Sequence, residues 1–262
     1  MKLSISNIGW SEADDRVVYD RMKELGYIGL EIAPTRVFPT LPYADPEAAA
    51  EWKASLRAEY GLEICSMQSI WYGRNERIFG KREERQALEE YTYRAVDFAA
   101  AVGCKNLVFG CPKNRVFPEG GDEKDGKAFF ENIGSYAWKR DCVISLEANP
   151  VIYQTNFLNT TSETLTYLRE MDHPGLGLNL DTGTMVENRE SIDILRGYEN
   201  MIRHVHISEP WLAGLQKRNL HAKLAEFLRN MDYKGYISIE VKKQEDLTDL
   251  WQMMKYVKDI FG

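Results

Sequence analysis

The sequence predicts a single (β/α)8 barrel spanning residues 1–262, and three observations predict it. Eight short apolar runs alternate with eight helical patterns, which is the cadence of that fold. No composition shift and no Gly/Ser-rich linker divides the chain, so it reads as one domain. The first strand is followed by Asn7-Ile8-Gly9-Trp10, which lacks the glycine-rich phosphate turn that an open doubly wound sheet usually offers there.

The elements follow in order. Residues 2–6 read as the first strand, and a polar break over 7–11 leads to a helix over 12–25, ended by Gly26. The second strand covers 28–33; Pro34, Pro39 and Pro42 then make a long loop before a helix over 46–60. The third strand, 62–69, precedes a loop carrying Trp71, Tyr72, Arg74 and Arg77, and a long helix over 83–102 shows Tyr91, Ala95, Phe98 and Val102 on one stripe. The fourth strand, 105–110, is followed by a helix over 123–140. The fifth, 142–148, precedes a helix over 163–171 whose start is marked by Asn159-Thr160-Thr161-Ser162. The sixth strand, 176–180, pairs with a helix over 190–196; the seventh, 201–208, with 219–231; the eighth, 235–241, with 246–261.

Composition bounds the function. An apolar content of 44% and a charged content of 28% describe a soluble chain with ample core material. The net charge of -7 argues against a broad nucleic-acid or anionic-membrane footprint, so an anionic substrate would need a local basic patch. Cys65, Cys104, Cys111 and Cys142 form no C-x-x-C pair and read as reduced thiols. Residues 1–7 enter a strand directly, without the longer apolar region of a signal peptide. No run approaches the roughly 20 apolar residues of a membrane span, and the expectation is a cytoplasmic protein.

The seventh strand carries the first chemical signal. Its period of two sends Arg203, Val205 and Ile207 one way and His204, His206 and Ser208 the other, so one face is an imidazole ladder. A half-exposed strand would simply show that face to water; a strand buried on both faces would need a partner such as a metal ion. The same division recurs elsewhere. The small or polar face is Gly29, Glu31 and Ala33 in the second strand, Ser145 and Glu147 in the fifth, Asn179 and Asp181 in the sixth, Ser238 and Glu240 in the eighth. The apolar face suits a helix layer, which leaves the polar face for the lumen.

The acids of the last four strands lie near their C-terminal ends, where barrel enzymes carry their catalytic groups. Charged groups converging there repel one another unless a cation sits among them. Glu147, Asp181, His206 and Glu240 therefore read as one divalent metal site. Three carboxylates with one imidazole are a mostly hard ligand set, favouring Mn2+, Mg2+, Co2+ or Fe2+ over thiolate-rich structural zinc, with catalytic zinc left open. Mn2+ leads that list.

Five segments carry a family resemblance: Gly29-Leu30-Glu31-Ile32, Leu146-Glu147-Ala148-Asn149-Pro150, Leu180-Asp181-Thr182-Gly183-Thr184, His204-Val205-His206-Ile207-Ser208-Glu209 and Ser238-Ile239-Glu240. Together they resemble the xylose isomerase-like TIM barrels, a superfamily of sugar and sugar-phosphate isomerases and epimerases, inosose-processing enzymes and endonuclease IV. The resemblance implies one metal ion held by Glu147, Asp181, His206 and Glu240, with Glu147 and Glu240 doubling as acid and base. It implies His204, Glu209 and Glu31 as substrate or orienting contacts. The reaction implied is proton transfer through a metal-stabilised enediolate, giving epimerisation or isomerisation.

Two positions depart from the ketose 3-epimerase pattern: Thr184 stands where a substrate histidine is expected and Leu212 where an arginine is expected. Basic residues gather instead in loops expected at the same mouth, Arg74, Arg77, Lys113, Arg115, Lys217 and Arg218. They read either as solvated charge or as a site for a phosphate or carboxylate on the substrate, with Arg115 and Lys217 as the candidate contacts. Trp10, Trp71, Tyr72 and Trp211 read as aromatic walls of a sugar site or as loop packing. His221 reads as a helix cap or a residue reaching the mouth. The partner expected is a small carbohydrate, with no nucleic acid and no membrane; the oligomeric state stays open, a homodimer included. Three other functions remain beside the isomerase: a dehydratase of a keto-inositol or related compound, an endonuclease IV-like phosphodiester hydrolase, and a non-catalytic sugar-binding protein.

Overall fold

The computed structural model describes residues 1–262. Eight parallel strands close into a barrel in sequence order, the first pairing with the eighth. They are β1 (Lys2–Ser6), β2 (Gly29–Ile32), β3 (Glu63–Met67), β4 (Asn106–Phe109), β5 (Val143–Glu147), β6 (Leu176–Asp181), β7 (Ile202–Ile207) and β8 (Tyr236–Ile239). Around them lie α1 (Asp15–Leu25), α2 (Pro34–Val37), α3 (Pro46–Tyr60), α4 (Arg82–Val102), α5 (Glu123–Trp138), α6 (Thr161–Met171), α7 (Thr182–Glu187), α8 (Asn219–Asn230) and α9 (Leu247–Phe261). No helix is long and apolar enough to cross a membrane.

Period-two alternation builds the wall. Leu30, Ile32, Ile144, Leu146, Leu178, Leu180, Val205, Ile207, Ile237 and Ile239 are all fully buried, packed in one core with the apolar stripes of the helices. Burial of each such side chain contributes about 1.5–3 kcal/mol. The opposite face fills the lumen with Ser4, Ser6, Glu31, Ser66, Asn106, Ser145, Asn179, His204, His206 and Ser238, all buried. These polar groups bond across strands: Gln68 Nε2 donates to Ser6 Oγ (3.0 Å), Asn106 Nδ2 to Ser66 Oγ (2.9 Å) and the Ser145 hydroxyl to Asn106 Oδ1 (2.5 Å).

The alternation breaks twice. Leu30 pairs with Ile64 and Glu31 with Ser66, leaving Cys65 as an extra residue; Leu178 pairs with Ile202 and Asn179 with His204, leaving Arg203 as another. Arg203 is therefore a bulge residue rather than a regular member of the Val205–Ile207 face. The helix expected over 190–196 also differs. The chain turns helical directly at the end of β6 as α7, because the Asp181 side chain accepts from the Thr184 backbone N–H (2.6 Å) and caps it. The apolar pattern further on forms only a short 3-10 turn, Ile192–Leu195. Capping elsewhere follows sequence: Thr160 and Glu163 satisfy each other's backbone N–H groups at the start of α6. All four cysteines are free thiols.

Candidate active site

Neighbouring strand ends assemble the site. Glu147 closes β5, Asp181 closes β6, His206 sits one residue before the end of β7, and Glu240 follows β8. One ligand atom from each lies within 4.8 Å of those of the others. His206 Nδ1 is 3.1 Å from Glu147 Oε2 and 3.1 Å from Glu240 Oε2. The register places Glu147 beside Asn179 and Asp181 beside His206, so the cluster follows from parallel pairing rather than from loop folding.

Each ligand is oriented. Asn149 Nδ2 donates to Glu147 Oε1 (3.0 Å) and Asn179 Nδ2 to Glu147 Oε2 (2.5 Å). Asp181 accepts from the Thr184 backbone N–H on one oxygen and from the Ser208 hydroxyl on the other. Beneath His206 lies Glu31, fully buried, which takes His204 Nε2 at 2.6 Å and His206 Nε2 at 2.9 Å. An ionised Glu31 fixes the proton of His206 on Nε2 and turns the Nδ1 lone pair toward the carboxylate cluster.

The electrostatics fit a cation. Burial, reinforced by Glu147, pushes Asp181 up to about 6 against the pull of His206. Burial pushes Glu240 up to about 7, again against His206. Burial alone would depress His206, yet Glu31, Glu240 and Glu147 carry it well above its ordinary value. Burial would raise Glu31, but His206 and His204 hold it well below the usual carboxylate range. Burial lowers His204. Carboxylates forced toward protonation around one imidazole are short of positive charge, and an oxygen-rich set of this kind matches a hard divalent ion.

A pocket of about 350 Å3 opens over the cluster at the C-terminal mouth, walled by Ile8, Gln68, Cys111, Tyr153, Thr184, Ser208, Glu209, Trp211 and Leu212 beside the acids. No Lys or Arg lines it. Of the expected contacts, Glu209 reaches the wall, but Arg218 grips it with Nε to Oε1 (2.7 Å) and Nη2 to Oε2 (2.5 Å). Trp211 is 62% exposed, lines the pocket and stands edge-on to Tyr153 at 5.1 Å.

The structure does not bring the other expected contacts to the pocket. Glu31 and His204 lie below the cluster in the lumen. Trp10 is buried and donates to Asp15 Oδ1 (2.7 Å). Trp71 is buried against Phe109 and Phe129 and donates to Thr92 Oγ1 (2.9 Å). Arg115 is fully buried and donates to the carbonyls of Glu147 (2.7 Å) and Leu158 (3.2 Å), so it braces the end of β5 rather than facing solvent. Burial lowers its pKa to about 10. Lys217 is exposed beside a separate surface hollow. His221 is buried in the first turn of α8, with Nδ1 on the Tyr256 hydroxyl (2.9 Å). Sequence reasoning missed Gln68, Tyr153 and Asn149 as pocket walls. Only Asn149 had a signal, its place two residues after Glu147.

The chain matches the family described as xylose isomerase-like TIM barrel over residues 19–258. A ketose 3-epimerase from Arthrobacter globiformis is 31% identical over 129 residues, 47% of this chain and 44% of that protein, so the chain aligns with under half of that relative's length. An L-ribulose 3-epimerase from Methylomonas sp. (strain DH-1) is 24% identical over 236 residues, 88% of this chain and 79% of that one. Among solved structures, D-psicose 3-epimerase from Clostridium cellulolyticum H10 superposes with a TM-score of 0.82 at 16% identity, covering 100% of this chain and 99% of that one. The 3-keto-D-glucoside 4-epimerase from E. coli superposes with a TM-score of 0.78 at 21% identity, covering 99% of both. With the match running from α1 to the last turn of α9 and eight strands closed in order around a carboxylate-imidazole cluster, the chain belongs to the xylose isomerase-like TIM barrel family.

Proposed function

We propose that this protein is a divalent-metal-dependent carbohydrate epimerase or isomerase that moves a proton at the carbon next to a carbonyl. The observation that carries the reading is the convergence of Glu147, Asp181, His206 and Glu240, with one ligand atom from each inside 4.8 Å, at the floor of a pocket walled by small polar and aromatic groups. The activities of the epimerase relatives support it.

A divalent ion held by those four side chains, Mn2+ first among candidates, would polarise the substrate carbonyl and neighbouring hydroxyl and stabilise the enediolate charge by several kcal/mol. The chain supplies the proton transfers. Glu147 and Glu240 come from β5 and β8, with β6 and β7 between them, and so flank the cluster from two sides. One carboxylate takes the proton from carbon, and the other, protonated, delivers a proton to the opposite face. Asn149 and Asn179 hold the Glu147 oxygens in place, and Arg115 anchors its backbone.

A pocket without Lys or Arg suits a neutral sugar or glycoside rather than one recognised by its phosphate or carboxylate. Phosphodiester hydrolysis finds no support in a mouth that offers one imidazole and no cation. Thr184, whose hydroxyl donates to the Ala148 carbonyl (2.8 Å), and Leu212 leave the wall less polar than the ketose 3-epimerase pattern would make it.

The test is solvent-deuterium exchange at the α carbon across a panel of ketoses and keto-glycosides with Mn2+ present. Exchange into at least one substrate is expected, lost in Glu147→Gln and in Glu240→Gln while both variants stay folded. Undiminished exchange in both variants ends the proposal, and release of water with the product replaces it by a dehydratase.

A further inference from the structure

A second cavity, of about 400 Å3, lies at the opposite end of the barrel, among the N-terminal ends of the strands. Five cations line it, Lys2, Lys53, Arg57, Lys105 and Arg203, against one carboxylate, Glu63. In a chain of net charge -7 that is a local reversal of sign. Three of the cations are already engaged: Arg57 with Glu63 at 3.8 Å, Lys105 with Asp141, and Lys2 over the Tyr236 ring at 5.0 Å. Lys53 and Arg203 make no ion pair within 4 Å.

The fold builds this cavity deliberately. Both β-bulges of the barrel put their extra residue on it, Cys65 from β3 and Arg203 from β7. Bulges re-aim side chains and collect near functional sites. Two glycines make room for side chains that line it, Arg203 and Tyr236. A Cβ at Gly177 would sit 2.3 Å from Arg203 Cγ, and one at Gly29 would sit 2.5 Å from the Tyr236 ring. The stem of Arg203 therefore lies across β6 at Gly177.

The roof is polar and buried. His204, 1% exposed, lines the cavity with its Nε2 turned inward to Glu31 at 2.6 Å. Pairing with an ionised carboxylate keeps the proton on Nε2, and Nδ1, which has no partner in the chain, is left as a hydrogen-bond acceptor. An anion alone would satisfy the cations but not that acceptor. A ligand carrying both a dianionic group and a hydroxyl satisfies both.

We propose that this cavity is a second, non-catalytic site for a small phosphorylated polyol, its phosphate held by Lys53 and Arg203 and a hydroxyl donated to His204. The Arg203 fork matches a phosphate in two-point fashion, which a carboxylate on a smaller ligand would fill less completely. The site lies at the opposite end of the barrel from the catalytic pocket and shares no lining residue with it.

Calorimetric titration of the full chain with glucose 6-phosphate, inorganic phosphate and glucose tests the proposal. Glucose 6-phosphate is expected to bind more tightly than inorganic phosphate, and glucose not to bind at this site. The Lys53→Ala/Arg203→Ala double variant is expected to weaken glucose 6-phosphate by about tenfold or more, whereas Trp211→Ala, at the other end, leaves it unchanged. Absence of binding to the wild type, or binding unaltered by the double variant, overturns the site; equal affinity for inorganic phosphate overturns the polyol. Should the double variant not fold, Lys53→Gln on the surface of α3 gives the same reading through a weakened affinity, and Arg203→Lys, which keeps the charge but not the fork, reports on the guanidinium.

Discussion

Replacing Glu31 with Gln is the sharpest probe of how the metal cluster is held, because Glu31 touches neither the pocket nor the proposed ion. Its Oε2 takes both imidazoles, His204 Nε2 at 2.6 Å and His206 Nε2 at 3.0 Å, while Oε1 lies 2.9 Å from His206 Nε2, and all three side chains are buried. A glutamine keeps the shape but offers one carbonyl oxygen and one NH2. With His206 Nδ1 committed to the cluster, both Nε2 atoms carry protons and need acceptors, and the amide sets its NH2 either 2.9 Å from His206 Nε2 or, in the flipped orientation, against both imidazoles. The loss is one charge-assisted hydrogen bond, about 1.5–3 kcal/mol, and it falls on the alignment of His206. Loss of a carboxylate behind a metal-bound imidazole typically weakens metal binding about 10- to 100-fold, or about 1.4–2.8 kcal/mol. The two routes agree. Calorimetric titration of the metal-free Glu31→Gln protein with Mn2+ is therefore expected to give a dissociation constant raised about 10- to 100-fold, with circular dichroism unchanged. A folded variant that binds Mn2+ as the wild type does would refute the orienting role of Glu31.

Other outcomes follow from the same geometry. Asp181 and Glu240 have folded values raised to about 6 and about 7, so in the metal-free protein they favour the folded state at low pH and that contribution is lost as pH rises toward 7. Added Mn2+ should therefore raise the melting temperature little at pH 5 and strongly at pH 8, and a pH-independent increment would contradict the cluster as the binding site. Arg115→Ala strips the Glu147 and Leu158 carbonyls of their donor and leaves a cavity; a loss of about 3 kcal/mol in urea unfolding is expected, and a neutral result would mean the guanidinium does not brace β5. Trp211→Ala should raise KM about fivefold through lost ring contact with an unchanged urea midpoint, whereas an altered midpoint with unchanged KM would make the ring structural.

The fold was legible because its signals are local: eight apolar runs, several with one polar face, and helix ends marked by Gly26 and by the polar start at 159–162. The cluster was legible for the same reason. All four residues stand at or next to the C-terminal end of their strands, so Glu147, Asp181, His206 and Glu240 reach one mouth of the barrel without any knowledge of the loops. The loops were not readable in this way. Arg115 looks solvated in sequence, and only the packed structure shows it enclosed behind Glu147. Trp10 and Trp71 follow strands just as Trp211 does, yet only Trp211 takes a left-handed backbone (φ 61) and turns to the mouth. The bulges at Cys65 and Arg203 left no trace, since each keeps a strand-like composition and shifts only the pairing. Asp181 shows the limit from the other side: its role as helix cap was hidden by a more apolar stretch at 192–195 that looked more helical.

The polar lumen sets this barrel apart from the usual arrangement, in which branched apolar side chains fill the interior in layers. A column of Ser, Asn, His and Glu buries less apolar area and is tolerable only when its members bond one another. Around the cluster they do, in a chain that runs from His204 through Glu31 to His206 and from Asn179 to Glu147, while Ser4 Oγ and Ser238 Oγ are buried without a partner. These bonds hold His206 and Glu147 in orientation at the cluster, with little freedom to lose on binding an ion. An apolar lumen would give a tighter core but would leave those ligands to swing. The same column ends downward at His204 on the roof of the basic cavity, so the residues that stiffen the catalytic mouth also shape the opposite face, and a substitution in the lumen is felt at both ends.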